Sequence, residues 1–346
     1  MGLIPTDKSV PAQKLEDYHV LIFGEAGTGK TSLASEFPNA LFAATEMGTK
    51  ALSVFQVNIA ERARKRGRLP WVVFRDLVDE FVKGNHEFET FVVDTEDVLY
   101  EWCLEYITQK LGGHPGELND FGASWSKLKA EFKEPHEQIK NNGFGLVSIS
   151  HARYREIEDI EGRKRDKLMP TVGGSSASYL MDDSDIIILY RKDNEGNRVL
   201  SLEPTNDFSG KQRIRTFSKK DIQAGKSAKE AYKNFKKEFD KAIKKMNEEY
   251  GITQEMVEEQ YKEEAQEAKL SDIQNKIIDY CKDNNIPPSK NKIMLEEEIG
   301  VSSVRDVDTV DKAKKYLKFL KKQSVVTVSG FRRIRQIRVT VPGSYD

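Results

Sequence analysis

Nine consecutive residues near the start of the chain have the types and spacing needed to hold a phosphate group. They satisfy the pattern Gly-x-x-x-x-Gly-Lys-Ser/Thr and are Gly24, Glu25, Ala26, Gly27, Thr28, Gly29, Lys30, Thr31 and Ser32. The glycines let the backbone curl so that successive N–H groups point at phosphate oxygens, and a helix starting near Thr31 adds its positive dipole end. Lys30 is expected to reach the β- and γ-phosphates, and the Thr31 hydroxyl to bind Mg²⁺. The motif therefore predicts a site for ATP with Mg²⁺.

Such a site also needs a carboxylate that holds the water shell of the metal. The hydrophobic run from Thr90 to Asp94 ends in an acid and follows the phosphate motif at a plausible distance. This spacing predicts a strand with Asp94 at its carboxyl end, the position known as Walker B. Thr31 and Asp94 are therefore the predicted metal-site residues.

Hydrolysis further needs a group that orients or deprotonates the attacking water. Glu46 follows the run from Ala40 to Ala44, and the carboxyl ends of strands are where α/β sheets bind ligands. Glu96 and Asp97, which closely follow Asp94, compete for this role. An ordinary role of Glu46 as a loop residue that caps a helix is the remaining alternative.

These residues require a sheet that brings strand ends together, and residues 1–216 have the pattern of one. Short β-branched or aromatic runs alternate there with longer helical stretches, which predicts an α/β domain with a parallel sheet covered by helices. The predicted strands are Tyr18 to Phe23, Ala40 to Ala44, Thr90 to Asp94, Gly145 to His151, Ile186 to Tyr190 and Val199 to Glu203. We expect residues 1–216 to form the first domain.

Two further regions follow this domain. Residues 217–270 have apolar residues at helical spacing among dense Lys and Glu, with a capping-box start at Ser227 and Glu230. They predict a charged helical linker, or a helix packed on the first domain. Residues 271–346 predict a small separate domain of three helices and a hairpin. Ser271 and Gln274 are expected to cap its first helix.

The charges are unevenly distributed, although the net charge is only -1. Residues 1–216 contain 28 Lys and Arg against 34 Asp and Glu, whereas residues 217–346 contain 27 against 22. The excess of cations in the second part indicates an anionic partner. No apolar run is long enough to span a bilayer and the N-terminal residues lack a signal-peptide pattern, so a cytoplasmic protein is expected. Neither Cys103 nor Cys281 belongs to a CxxC motif, which predicts buried reduced thiols.

The order of these motifs resembles the core of RecA-type recombinases, and more closely that of phage-encoded ATPases reduced to a RecA core. The resemblance covers about residues 15–216 and includes strands ending in Thr45-Glu46, Asp94-Thr95 and His151, followed by Thr171-Val172-Gly173-Gly174. It implies that Glu46 activates water, that Asp94 and Thr95 serve magnesium, and that His151 senses the γ-phosphate. RecA has glutamine at the sensor position, so a structural role of His151 stays open.

The resemblance implies a function for two basic clusters in the first domain. The segment between His151 and Gly174 corresponds to a DNA-contacting loop, and its cations and Tyr154 suit a surface that follows a nucleic-acid backbone and stacks bases. The candidate DNA-binding residues in it are Arg153, Arg155, Arg163, Lys164 and Arg165. Arg213 belongs to Lys211-Gln212-Arg213, which is similar to the Lys-x-Arg element that hexameric RecA-like helicases insert into a neighbour's ATP site. Solvated surface charge is the alternative for both clusters.

The C-terminal domain resembles a winged helix-turn-helix. Leu295 and Ile299 would be core and Gly300 the turn, and a helix from about Asp308 to Lys322 would face DNA. A hairpin with strands from Ser324 to Ser329 and from Arg332 to Val341 would turn at Gly330. The expected phosphate contacts are Lys312, Lys315, Lys322, Arg332, Arg333, Arg335 and Arg338. A protein-binding role of this domain is the alternative.

Together these observations predict a phage-type, RecA-like ATPase that is stimulated by single-stranded DNA and acts in recombination, annealing or replication. We expect a homo-oligomer in the cytoplasm, or in the host cytoplasm if the chain is phage-encoded. Single-strand-binding or replication proteins are expected as further partners. The alternatives are a helicase or helicase loader, a non-hydrolysing ATP switch that binds DNA, and a small-molecule P-loop kinase. The last is disfavoured because no second substrate pocket or lid can be predicted from the residues.

Overall fold

The computed structural model describes residues 8–46, 48–49, 52–84, 86–158 and 161–334, with only the backbone described for 174–177 and 323–334. This part of the chain divides into two compact units. One is Pro11–Gly251, and the other contains residues 252–334 together with residues 8–10. We describe each unit by itself.

Within the described residues, the first unit contains one sheet and seven α-helices. Its strands are β1 (His19–Gly24), β2 (Ala40–Ala44), β3 (Phe55–Asn58), β4 (Thr90–Asp94), β5 (Gly145–Glu158), β6 (Lys164–Pro170), β7 (Ile186–Lys192), β8 (Arg198–Ser201), β9 (Lys211–Gln212) and β10 (Asp221–Gln223). Its helices are α1 (Lys30–Ala34), α2 (Ile59–Arg66), α3 (Pro70–Val82), α4 (Glu96–Leu111), α5 (Ala123–Asn141), α6 (Gly174–Asp183) and α7 (Ala228–Tyr250).

The sheet has the strand order β10-β8-β7-β1-β5-β4-β2-β3, with β6 paired to β5 and β9 paired to β7. The six strands from β7 to β3 in this order are parallel to their neighbours, whereas β6, β8, β9 and β10 pair antiparallel. One strand, β5, separates β1, which leads into the phosphate motif, from β4, which ends in Asp94. The predicted α/β class with a mostly parallel sheet is confirmed.

Helices cover both faces of the sheet, which explains why its central strands are apolar throughout. On β4, Val92 packs into one apolar cluster with α1 and α7, while Phe91 and Val93 pack into another with α3, α4 and α5. Side chains alternate between the faces of a strand, so a strand buried on both faces needs an unbroken apolar run. Such runs are the feature that predicted β1, β2, β4, β5 and β7. The edge strand β3 lacks one and was not predicted.

The stretch predicted as a linker contains a helix of the first unit. The inner face of α7, with Phe235 and Phe239, is fully buried against the sheet side that also holds Leu33 of α1. Ser227 caps α7 by accepting the backbone N–H of Glu230, as predicted. The first unit therefore continues to Gly251 rather than ending near residue 216, because the apolar stripe of α7 has a buried surface to cover.

The described part of the second unit is helical and consists of α8 (Gln254–Asp283), α9 (Pro288–Ile299) and α10 (Val310–Ile334). The expected start of a helix at Ser271 is wrong, because α8 runs through it without a break, and Gln274 is buried with its amide donating to the Val307 carbonyl. The predicted start of α9 at the two prolines, its end at Gly300 and the burial of Leu295 are confirmed.

The predicted hairpin of a winged helix is also wrong where it can be compared. The segment from Ser324 to Ser329 continues α10, and so do Gly330, Arg332 and Arg333, while Arg335 and Arg338 lie outside the described residues. Val favours strands, but this preference depends on packing partners. Extending a helix adds one hydrogen bond for each residue fixed, whereas an isolated hairpin is marginal. Within residues 252–334 the second unit is therefore a helical module without strands.

Two general expectations concern cysteines and membranes. Cys103 and Cys281 are both buried with free thiols, as predicted. Burial raises the pKa of Cys103 above that of an ordinary thiol, which disfavours its reactive thiolate form. Among the helices of the described residues, none combines the length and apolarity of a membrane span.

Candidate functional site

The phosphate motif forms the turn between β1 and α1, as predicted from its position after a strand. Gly29 has φ 106° at the N-cap of α1, a conformation that glycine adopts without steric cost. At Gly24 a Cβ would lie 2.3 Å from the carbonyl oxygen of Tyr190 on β7, so only glycine fits beside that strand. The Lys30 ammonium is buried inside the turn and donates to the carbonyls of Gly24 and Glu25, each at 2.9 Å. Burial lowers the pKa of Lys30, which the carboxylates of Asp94, Asp97 and Glu46 oppose.

The two predicted metal-site residues meet. The Thr31 hydroxyl donates to Oδ2 of Asp94 at 2.8 Å, although the residues belong to α1 and β4. Burial raises the pKa of Asp94, the charge of Glu46 adds to the rise, and the hydrogen bond from Thr31 opposes it. A Cβ on Gly48 would lie 3.7 Å from the Thr31 hydroxyl and 3.8 Å from Oδ2 of Asp94, so glycine keeps the space beside this pair open. One hydroxyl and one carboxylate, both oxygen donors, fit Mg²⁺.

Glu46 lies at the same edge of the sheet, one strand from Asp94. Its carboxylate accepts a hydrogen bond from the Thr95 hydroxyl at 3.3 Å and lies 3.6 Å from Nε2 of His151. The backbone N–H of Thr45, beside it, donates to the Asp94 carbonyl at 2.8 Å, which ties the ends of β2 and β4 together. Glu46 keeps 40% of its side-chain surface exposed, so it can reach a water molecule. The structure therefore brings the predicted water-activating residue to the phosphate site.

The two competing carboxylates have other partners. Glu96 is completely buried, where it accepts the Ser148 hydroxyl at 2.5 Å and contacts Nε2 of His136 at 3.1 Å. Asp97 accepts the backbone N–H of His151 and the Ser150 hydroxyl, both at 2.9 Å. Burial raises the pKa of Asp97, and these two hydrogen bonds oppose the rise. Glu96 is thus part of the core, and Asp97 holds the end of β5, a role that its position in the sequence did not reveal.

His151 lies beside the first residue of the phosphate motif. It pairs in register with Gly24, the first residue of the phosphate motif, because β5 lies next to β1. Its ring faces Glu46, and its backbone is held by Asp97 through its N–H and by the N–H of Thr171 through its carbonyl. The adjacency of β1 and β5 could not be deduced from the sequence, since residues 24 and 151 are far apart in the chain.

The segment predicted as a DNA-contacting loop is instead an antiparallel hairpin of β5 and β6. Residues that face each other across the strands include Arg153 and Met169, Arg155 and Lys167, and Ile157 and Arg165. Opposed residues point to the same face, and alternate residues of one strand do too. One face of the hairpin therefore carries Arg153, Arg155, Arg165 and Lys167, whereas the other carries Tyr154, Glu156, Glu158, Lys164 and Asp166. We call the first one the basic face.

This arrangement separates residues that the sequence placed together. Arg153 is exposed on the basic face, but the Arg155 guanidinium donates to the Val172 carbonyl at 2.5 Å. Burial lowers the pKa of Arg155, as does the charge of Arg153. Lys164 lies on the opposite face and pairs with Glu156, while Arg163 pairs with Glu161. Tyr154, 65% exposed, lies on that face too, so its ring does not share a surface with Arg153 and Arg155.

Arg213 is not part of this chain's phosphate site. It follows β9, which pairs with the amino end of β7, at the sheet edge opposite to the one where β1 enters the phosphate motif. Its guanidinium donates to Asp185 at 2.8 Å and to the Asp182 carbonyl at 2.6 Å. Lys211 donates to the carbonyls of Met181 and Asp182. Both cations of the Lys-x-Arg element thus have acceptors within the chain, and a role in a neighbour's site stays a prediction.

Two of the predicted C-terminal phosphate contacts also have partners within the second unit. Lys312 pairs with Asp308 at 2.9 Å and Lys315 with Glu298 at 3.1 Å. Lys322 is exposed near the last described side chain of α10. Among the residues described with side chains, fewer cations of this unit are therefore available for phosphate contacts than its charge count suggested.

The chain matches one family, and this match covers most of the first unit. The family AAA_24, described as an AAA domain, matches residues 16–214. Among solved structures, the chain is similar to a KaiC-like protein from the hyperthermophilic archaeon Pyrococcus horikoshii, with 13% identity over 60% of this chain and 85% of that chain and a TM-score of 0.31. It is also similar to the flagellar accessory protein FlaH from Methanocaldococcus jannaschii, with 11% identity over 60% and 84% and a TM-score of 0.29. At these TM-scores neither likeness bears on what the chain acts on. No curated protein matches the sequence.

Proposed function

Since this chain belongs to the AAA domain family AAA_24 and carries a RecA-like P-loop ATPase domain, we propose that it hydrolyses ATP and couples hydrolysis to binding single-stranded DNA. The process we propose is recombination, annealing or replication of phage DNA. The observation that carries the coupling is the continuity of β5, which begins in the sheet, passes His151 beside the phosphate motif, and continues into the hairpin with its basic face.

The residues at the phosphate edge divide the chemistry of hydrolysis among them. Lys30 and the N–H groups of the turn bind the phosphates, and exchange of the Lys30 ammonium from two backbone carbonyls to phosphate oxygens keeps it hydrogen-bonded. Thr31 and Asp94 would hold Mg²⁺, which when bound stabilises negative charge on the phosphate oxygens. Glu46 accepts a proton from the attacking water or orients it, and the Thr95 hydroxyl keeps the carboxylate turned to the site.

The strand β5 links the nucleotide site to the basic face. His151 contacts Glu46 at one end, and Arg153, two residues along the same strand, is exposed on the basic face. A shift of His151 toward a γ-phosphate changes the position of β5 and so of the basic face, which gives the two ligands a coupling free energy. The coupling is reciprocal, so DNA bound at the basic face favours the arrangement of Glu46 and His151 that supports hydrolysis.

The test measures phosphate release with and without a single-stranded oligonucleotide, on the intact chain and on three variants. We expect stimulation of the intact chain, no turnover of Lys30→Ala, and basal turnover without stimulation for Arg153→Ala combined with Lys167→Ala. Lys133→Ala combined with Lys65→Ala, which removes two exposed cations far from the hairpin in sequence, is the matched control and keeps full stimulation. Turnover that ignores DNA in the intact chain would refute the proposed function, and a metabolite that accelerates it would replace DNA as the substrate class.

A further inference from the structure

The outer face of α7 is strongly basic, although its residues have no part in the phosphate site. Three acids of this helix have specific partners. Glu230 accepts the backbone N–H of Lys226 at the start of the helix, Glu238, 8% exposed, pairs with Lys219 and Lys241, and Asp240 pairs with Lys236. The inner face is apolar and buried. The lysines are therefore left to dominate the surface that α7 presents to solvent.

A groove of about 800 Å³ runs along this face of α7, next to Glu36 just beyond α1. Six lysines line it, and they are Lys229, Lys233, Lys236, Lys237, Lys241 and Lys244. Only two acids, Glu36 and Asp240, face them. From Lys229 to Lys244 the helix rises by about 22 Å, so the positive charges form a line rather than a point.

Four of these lysines differ from several lysines on other helices of the chain. Lys65, Lys133 and Lys276 each form an ion pair with a carboxylate four residues away. In the groove, Lys236 pairs with Asp240 and Lys241 with Glu238. For Lys229, Lys233, Lys237 and Lys244, no carboxylate of the described residues lies within ion-pair distance. Like charges so close repel one another, and a bound polyanion relieves that repulsion.

We propose that this groove is a second binding site for nucleic acid, which holds the phosphate backbone of a single strand without reading its sequence. Ammonium groups on flexible stems are compact point charges that suit phosphates without fixed geometry. The only aromatic ring in the groove, Tyr232, packs edge-on against Phe37 with 5.2 Å between ring centroids, and burial raises its pKa to about 12. The ring is therefore part of the wall rather than an anchor for a peptide side chain.

The groove lies close in the chain to the phosphate site and is distinct from the basic face. The groove adjoins Glu36, which closely follows α1, the helix that begins with the phosphate-binding Lys30. It is lined by α7 and by Glu36 just beyond α1, whereas the basic face is formed by β5 and β6. The choice of a single strand as ligand rests on the proposed function, but the charge argument does not.

The experiment measures binding of a labelled oligothymidylate of about 30 nucleotides by fluorescence anisotropy, without nucleotide, at salt concentrations from about 50 to 200 mM. The variant is Lys229→Gln, Lys233→Gln and Lys237→Gln in the full chain. Three lost phosphate contacts lower the slope of log affinity against log salt by about 2, and weaken binding at the lowest salt by roughly 10² to 10³-fold. The control is Lys65→Gln, Lys133→Gln and Lys276→Gln, which removes three paired lysines and leaves binding unchanged.

The outcomes separate this site from the proposed function. A triple variant that binds like the control overturns the groove, even if DNA stimulates turnover through the basic face. A triple variant that loses affinity supports the groove even if turnover ignores DNA. An oligoglutamate peptide is tested as a competitor of the oligothymidylate. If the peptide displaces the oligothymidylate and binds the intact chain more tightly, the groove is a docking site for an acidic protein and the nucleic-acid proposal is wrong. Circular dichroism of all three proteins verifies that the exposed substitutions leave the fold intact.

Discussion

The carboxylate of Glu46 and the ring of His151 lie 3.6 Å apart at the edge of the sheet where the phosphate motif begins. Glu46 follows β2 and His151 belongs to β5, and these strands are separated in the sheet by β4 with its terminal Asp94. The residue expected to activate water and the residue expected to sense phosphate are thus direct partners. Any movement of one alters the surroundings of the other.

Substituting Glu46→Gln should stop turnover while leaving ATP binding intact. The amide keeps the shape of the side chain but cannot accept the proton of water, so we expect kcat to fall by about 10² to 10⁴-fold. Single-turnover phosphate release and the affinity for a labelled ATP analogue measure the two quantities. The matched variant is Glu96→Gln, whose carboxylate is buried with His136 and Ser148. It should lower the free energy of unfolding and retain turnover; the reverse pattern would identify Glu96 as the base.

Substituting His151 should separate its sensing role from a structural one. His151→Gln keeps a polar group at the position where the resembled family has glutamine, so we expect it to retain most of the stimulation by DNA. His151→Ala removes the contact with Glu46 and should reduce the ratio of stimulated to basal turnover by about tenfold, roughly 1.4 kcal/mol of coupling. Equal ratios for both variants and the intact chain would make the histidine structural.

Substituting Asp94→Asn should stabilise the protein free of nucleotide while abolishing magnesium-dependent turnover. Burial and the charge of Glu46 raise the pKa of Asp94, which means that its charged form is costly in the folded state. Asparagine removes the charge and can still accept the hydrogen bond from Thr31. We expect Tm in thermal unfolding without ATP to rise by a few degrees, roughly 1 kcal/mol. A lower Tm would show that Asp94 contributes to the fold through its charge.

The buried His136 should make stability depend on pH in a defined direction. Burial opposes its charged form, but the charge and hydrogen bond of Glu96 outweigh this and raise the pKa of His136. A group with a raised folded pKa contributes fully below its unfolded pKa, near 6.5, and loses that contribution as pH rises through the folded pKa. We therefore expect the stability difference between the intact chain and His136→Gln to shrink as pH increases above about 6.5.

The comparison with a variant is needed because a second buried histidine acts in the opposite sense. Burial lowers the pKa of His19, against the pull of Asp183, so its contribution to stability grows as pH rises. Denaturant unfolding of the intact chain alone would report the sum of both. A difference between intact chain and His136→Gln that is constant from pH 6 to 9 would contradict the charged pair of His136 and Glu96.

Shortening the chain should separate its two units cleanly only at Gly251. A chain that ends there keeps α7 and the complete sheet, so we expect cooperative unfolding and unchanged ATP affinity. The shortened chain lacks the residues from Thr309 onward, which contain ten Lys and Arg residues and only two Asp residues. DNA binding should therefore weaken, and its dependence on salt should become less steep. Unchanged DNA binding would assign the second unit to protein contacts. A cut after residue 269 divides α8 and is the less informative choice.

Much of the fold could be predicted because its signals are local. Apolar runs indicated five of the six parallel strands, and the phosphate motif, Asp94 and Glu46 lie at the strand ends where ligands bind in such sheets. The edge strand β3 and the charged strand β6 carry no such run, and the helical continuation of α10 overrode the strand preference of its Val residues. These errors arise where a neighbouring element, rather than composition, decides the backbone conformation.

By itself, the sequence determined the phosphate motif, the class of fold and the residues that could act on a nucleotide. Only the tertiary structure shows how the surroundings of Glu46, Glu96 and Asp97 differ, because burial and hydrogen-bond partners come from distant parts of the chain. It also sorted the cations of the hairpin by face and collected those of α7 in one groove. A motif is defined by residues that are close in the sequence. The pairing of β1 with β5, or the packing of α7 with α1, depends instead on long-range contacts that no local pattern encodes.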